Sequence, residues 1–205
     1  LDSKRRRIGF LGRIVAEKGL DVLIATLNAN REYFAEFDVL LGGNFSTVAG
    51  GSIKRQLEKE IHPDVAIRFL DFLPENLINQ FFSSLEAFVM PSKMKLEAYG
   101  IVQVEALLCG TPVVTTELPG VREPVMLSGY GKLAKPGDSK SLFESLKAVL
   151  EHRSEFQVDR DNVISRLTLS TSQQNIINIV GNVLALGKGQ AFDPGLLTQQ
   201  IQRPA

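Results

Sequence analysis

Two carboxylates, Glu97 and Glu105, flank Gly100 in the run Pro91-Ser-Lys-Met-Lys-Leu-Glu-Ala-Tyr-Gly-Ile-Val-Gln-Val-Glu-Ala106. An ionised carboxylate only accepts hydrogen bonds, and its two oxygens suit a pair of ribose hydroxyls. Gly100 opens a helix, where unpaired backbone N–H groups and the helix dipole favour an anion. Earlier in the chain, Gly12 and Gly19 bracket Arg13, Glu17 and Lys18. Glycine lets a ligand approach the backbone closely. Arginine grips phosphate through paired hydrogen bonds and lysine acts as a point charge, so the two cations can hold a diphosphate. Taken alone, they read rather as a solvated pair at a helix entry. The residues Val102, Val104, Ala106 and Leu107 around Glu105 are apolar. That helix therefore reads as largely buried, and a buried carboxylate needs a partner or a ligand.

These turns need elements to position them. Short apolar runs at 7–13, 37–41, 66–70, 87–90, 112–115 and 132–134 read as strands. Segments at 18–30, 53–61, 74–84, 101–108, 121–125 and 139–150 read as helices. Runs such as Val39-Leu40-Leu41 and Val113-Val114 are apolar without alternation, which marks strands buried on both faces of a parallel sheet covered by helices. The fold class is α/β, Rossmann-like, in three layers around a roughly six-stranded parallel sheet. Ligands of such sheets sit beyond the carboxyl ends of the strands. The domain is assigned to residues 1–155, C-terminal helices to 156–187, and a loosely ordered tail to 188–205. The apolar face of Ile176, Ile177, Val180, Val183 and Leu184 packs either on this domain or on another.

Composition removes several function classes. The 205 residues carry 23 Lys plus Arg against 23 Asp plus Glu, and a net charge of zero argues against nucleic acid held by bulk charge. The single cysteine, Cys109, forms no internal disulfide and no metal cluster, and it fits a cytoplasmic setting. It reads as a core thiol rather than a nucleophile. The two histidines, His62 and His152, lack metal-ligand spacing. Residues 168–187 carry no charge but hold Gln173, Gln174, Asn175, Asn178 and Asn182, too many amides for a membrane span. The chain opens on Leu1 without a signal segment, as an excised or processed chain does. Lys4-Arg5-Arg6-Arg7 reads as a solvated linker or as a peripheral contact with an anionic inner membrane face. Asp159-Arg-Asp161 has the spacing of a metal-binding triplet but reads as a solvated helix face.

In combination, Gly12-Arg13 with Glu17-Lys18-Gly19, then Pro91-Ser92 with Glu97-Ala-Tyr-Gly100-Ile-Val and Glu105-Ala106, then Cys109-Gly-Thr-Pro-Val-Val114 resemble the group 1 glycosyltransferases. These are retaining enzymes of GT-B fold, related to glycogen synthase and sucrose synthase. The resemblance spans residues 7–151 in order and spacing. It implies a nucleotide-diphosphate sugar, UDP or GDP linked, as donor. Arg13 and Lys18 would hold the diphosphate and stabilise the leaving group, Glu105 the ribose, and Glu97 the donor sugar. Backbone N–H groups from Ala98, Tyr99, Gly100, Ile101 and Val102 would approach sugar and phosphates. Phe72 and Leu73 would frame the base, while Gly12, Gly42 and Gly43 would line the cleft. The family needs no metal or other cofactor, because the cations take that part. A GT-B enzyme has two such domains, so an N-terminal domain would carry the acceptor glycan, lipid or small molecule. The chain alone would then lack transferase activity.

Two departures stand out. Lys93-Met-Lys95 charges the loop before Glu97, and Tyr99 stands where the family more commonly has Phe. Competing readings fare worse. A dehydrogenase needs G-x-G-x-x-G, but residues 9–14 read Gly-Phe-Leu-Gly-Arg-Ile, and no Gly-Lys-Ser/Thr loop occurs. A sugar-nucleotide epimerase of GT-B architecture would carry a different set of acidic and histidine residues. A non-catalytic module of the same fold remains the alternative, opposed by the joint presence of Arg13, Lys18, Glu97 and Glu105.

Overall fold

A computed structural model describes residues 5–43, 53–70, 72–94 and 99–167. Its six strands are β1 (Arg6–Leu11), β2 (Phe37–Gly42), β3 (Ile67–Leu70), β4 (Ala87–Met90), β5 (Val113–Thr116) and β6 (Gly131–Ala134). All neighbouring pairs are parallel, in the order β3-β2-β1-β4-β5-β6. The helices are α1 (Leu20–Ala29), α2 (Lys54–Glu60), α3 (Glu75–Ser83), α4 (Ile101–Leu108), α5 (Glu123–Ser128), α6 (Ser139–Glu151) and α7 (Arg160–Leu167).

The sheet is buried on both sides, and the strand period sorts the side chains. Ile8, Phe10, Val39, Leu41, Ala87, Val89 and Val114 join one apolar cluster with α1 and α6. Leu40, Phe88, Met90 and Val113 join the other with α3 and α4. Alternate residues of one strand thus enter opposite layers. Strand order reverses between β1 and β4. At such a switch point the connections leave in opposite directions and open a crevice beyond the carboxyl ends.

Element boundaries differ from the sequence reading where backbone geometry intervenes. The helix read from residue 18 begins at Leu20, because Gly19 takes φ 70 and ends a 3-10 turn over Ala16–Lys18. Further 3-10 turns at Tyr33–Glu36 and Arg153–Phe156 carry no sequence period long enough to read. The helix read at 121–125 runs over Glu123–Ser128 with Pro124 in its first turn. Helix α7 packs on α4 and α5 through Val163, which is fully buried. The face read at residues 176–184 and the tail at 188–205 lie outside the described residues.

Two charged features resolve into structure. Arg5 Nε donates to Asp38 at 2.7 Å, and Asp38 is 1% exposed. Arg6 grips Glu86 at 2.9 and 2.6 Å and also donates to the Leu150 carbonyl at 3.0 Å. These two arginines of the basic run thus tie the start of β1 to its neighbours. Asp159, like Asp161, is exposed at the start of α7, as the solvated reading expects. Its carboxylate accepts from the N–H groups of Asp161 and Asn162 at 2.9 and 3.2 Å, capping α7. Replacing Asp159 with Ala should lower stability by about 0.5–2 kcal/mol. Urea unfolding checks this; an unchanged midpoint would contradict the capping role.

Candidate functional site

The crevice at the switch point is built from the turns after β1 and β4. In the first, the Gly12 N–H donates to the Gly42 carbonyl at 3.0 Å. A Cβ on Gly43 would overlap the Gly12 carbonyl oxygen. The two strand ends are thus backbone to backbone. Gly19, in the left-handed region, lies against the Pro91 carbonyl, where a Cβ would also overlap. The Lys93 N–H donates to the Glu17 carbonyl at 2.9 Å, and Lys93 Nζ pairs with Asp21 at 2.7 Å. The loop after β4 is therefore laid directly on the turn that carries Lys18.

Between them lies a cleft of about 330 Å³. Phe10, Leu11, Gly12 and Lys18 line one side, and Met90, Tyr99, Gly100, Ile101 and Val102 the other. Gly100 caps α4 with φ 74, so this helix start faces the cleft. Burial pushes the Lys18 ammonium below its ordinary value; Arg13 adds to this and Glu17 opposes it. Burial, then Glu123, pushes the Tyr99 phenol up, so it stays a neutral donor.

The structure brings together six residues named from sequence: Gly12, Lys18, Tyr99, Gly100, Ile101 and Val102. Others stand apart. Arg13 is exposed and its guanidinium sits on Glu17 at 2.5 Å. A ligand would have to compete for it. Gly42 touches Leu73, Gly43 touches Gly12, and Phe72 is 76% exposed. Glu97 and Ala98 lie outside the described residues. Glu105 is exposed, which corrects the reading of a buried carboxylate. At about 100° per residue, Gln103, Ala106 and Leu107 form the inward stripe and Glu105 falls opposite them, below Ile101. Apolar neighbours along the sequence do not fix which face a residue takes.

Sequence reasoning missed Phe10, Leu11 and Met90, the apolar floor of the cleft, because strand ends look like core. It also missed Lys93–Asp21 and Gln103. Lys93 was visible as an unusual charge, but its partner 72 residues away was not. Among the described residues no cluster of three or more His, Cys, Asp or Glu could hold a metal, and no helix is long and apolar enough to cross a membrane.

A parallel sheet whose order reverses beside a cleft lined by Lys18 and the start of α4 defines a Rossmann-like domain. The chain matches the family Glycosyl transferases group 1 over residues 1–165, and it belongs to that family. It is 27% identical to phosphatidyl-myo-inositol mannosyltransferase of Mycobacterium leprae, covering 87% of this chain and 47% of that protein. It is 27% identical to glycogen synthase of Mycobacterium tuberculosis, covering 92% and 46%. The chain thus spans about half the length of these curated relatives. Sucrose-phosphate synthase of Thermosynechococcus elongatus shares the fold with TM-score 0.72 at 20% identity, over 91% of this chain and 47% of that one. HepE of Anabaena, solved with UDP-glucose, aligns with TM-score 0.70 at 23% identity, over 87% and 49%. The fold is that of GT-B glycosyltransferases.

The lowered Lys18 pKa has a stability consequence. At neutral pH the folded state holds this charge at a cost that the unfolded chain does not bear. The unfolded state binds the proton more tightly, so the cost fades as pH rises from the lowered value towards 10.5. Replacing Lys18 with Met should therefore raise the urea midpoint at pH 7, with the advantage shrinking as pH approaches 10.5. A midpoint below wild type at pH 7 would contradict this.

Proposed function

We propose that this chain binds a nucleoside-diphosphate sugar in the cleft between the turns after β1 and β4, and that its protein transfers the sugar with retention. One observation carries the reading: Lys18 and the start of α4 face the same 330 Å³ space. A cation kept there at a cost in stability is a group held for a ligand. In this reading Lys18 and the α4 N–H groups take the diphosphate, and they stabilise the charge that grows on the leaving oxygen as the glycosidic bond breaks. Arg13 leaves Glu17 to join them. Glu105, on the same stripe as Ile101, accepts from the ribose hydroxyls, and Glu97 contacts the donor sugar. Phe72 and Leu73 border the base. No divalent ion is assigned a part, since fixed cations supply the charge.

The UDP-glucose bound by HepE supports a sugar nucleotide here. The sugar is assigned as a hexose on UDP or GDP. The acceptor, a glycan, a lipid or a small molecule, is assigned to sequence corresponding to the unmatched half of the relatives. The isolated chain then binds donor but does not turn it over. The setting is read as cytoplasmic from the single Cys109. Contact with a membrane is not assigned to Arg5 or Arg6, whose charges are paired internally.

Thermal unfolding with UDP-glucose, GDP-mannose, ADP-glucose and NAD tests the reading. A bound sugar nucleotide at 100 times its dissociation constant should add about 2.7 kcal/mol. Glu105→Ala should weaken that binding by about tenfold, as loss of a charged hydrogen-bond acceptor does. Stabilisation by NAD and by none of the sugar nucleotides would sink the proposal, and equal binding by the Glu105→Ala chain would remove the ribose role.

A further inference from the structure

Gln103 is the one polar side chain of α4 that is wholly buried, at 0% exposure. Its Nε2 donates to the Tyr99 carbonyl at 3.1 Å and to the Val121 carbonyl at 2.9 Å. Val121 is fully buried in the β5–α5 connection. Both acceptors are carbonyl oxygens, so only the NH₂ end of the amide can face them; the reverse orientation would set oxygen against oxygen. The Oε1 atom is left buried with no hydrogen-bond partner among the described residues. An orphan acceptor is a cost that a leucine here would avoid. The amide is therefore retained for its two donations.

Those donations act on the wall of the cleft. The Gln103 amide lies directly beneath Gly100: a Cβ there would meet Nε2 at 2.7 Å, and the Met90 methyl as closely. The Tyr99–Gly100 peptide is trans. In a trans peptide C=O and N–H point to opposite sides. Drawing the Tyr99 carbonyl down onto Gln103 turns the Gly100 N–H up, towards the cleft that Tyr99 and Gly100 line. The second donation splints this peptide to the β5–α5 connection, which does not itself line the cleft.

We propose that Gln103 is a positioning residue: it aims the Gly100 N–H at the donor and ties the entry of α4 to the β5–α5 loop. The role rests on the sugar-nucleotide reading above. Gln103 does not touch the ligand. It sets the direction of a donor that does.

The test uses the full chain with Gln103→Met, which keeps the volume and loses both donations, and Gln103→Glu. Hydrogen exchange without ligand and titration with UDP-glucose, GDP-mannose and ADP-glucose are measured. Both variants should keep the wild-type circular dichroism. Exchange at the amides of Gly100, Ile101 and Val121 should rise by about tenfold, while strands β1 and β4 stay protected. Affinity for the sugar nucleotide that binds wild type best should fall by about tenfold for each variant. Protonation of the introduced carboxyl restores one donor, so the affinity of Gln103→Glu relative to wild type should recover as pH falls. A merely structural role would not produce that recovery. If wild type binds a sugar nucleotide and folded Gln103→Met binds it equally, the positioning role is overturned and the functional reading stands. If wild type binds none, the functional reading fails and the role of Gln103 falls with it.

Discussion

Gly19 lies against the Pro91 carbonyl with no room for a Cβ, and the Lys93 N–H reaches the Glu17 carbonyl from the same loop. Through these contacts the turn after β1 and the turn after β4 form one unit. Everything assigned to the cleft depends on it. The sheet brings the two strand ends side by side because its order reverses between β1 and β4. Adjacency alone leaves a groove; the backbone contact closes its base. The Lys93–Asp21 pair is partly exposed, so it adds at most about 1 kcal/mol. Its value lies in fixing the loop rather than in stability.

Around that unit the interior divides by purpose. The strand layers are deeply buried, with Leu41, Val89 and Val114 at 0% exposure. At the carboxyl ends the packing rules are relaxed. Lys18 is held charged where burial disfavours it, Gln103 keeps an orphan oxygen, and Ser92 is buried with an unpartnered hydroxyl. Each costs stability, and all three lie in or beside the turns after β1 and β4. A chain selected for stability alone would fill these positions with apolar groups.

Much of this was legible in the sequence. Continuous apolar runs such as Val39-Leu40-Leu41 have only one comfortable place, a strand buried on both faces, and the strands fell where they were read. Lys18 and the segment from Tyr99 to Val102 were found because glycine punctuation at Gly12, Gly19 and Gly100 marks where backbone must bend sharply or approach closely. What could not be read depends on partners distant in sequence. Glu105 was placed inside the fold from its apolar neighbours, yet helix phase turns it outward. Gln103 drew no reading from the sequence, and only the nearness of Val121 shows it as a buried splint. The exposure of Asp159 was read but its capping of α7 was not, because the start of that helix has no apolar run to mark it.

The central claim is that the turns after β1 and β4 bind one ligand between them. Amide chemical shifts followed by NMR during titration with UDP-glucose and GDP-mannose test it most directly. The account predicts that one of the two ligands shifts Gly12, Lys18, Gly100, Ile101 and Val102 together, with a single dissociation constant. Saturable shifts confined to a different part of the sheet, with both turns silent, would contradict it.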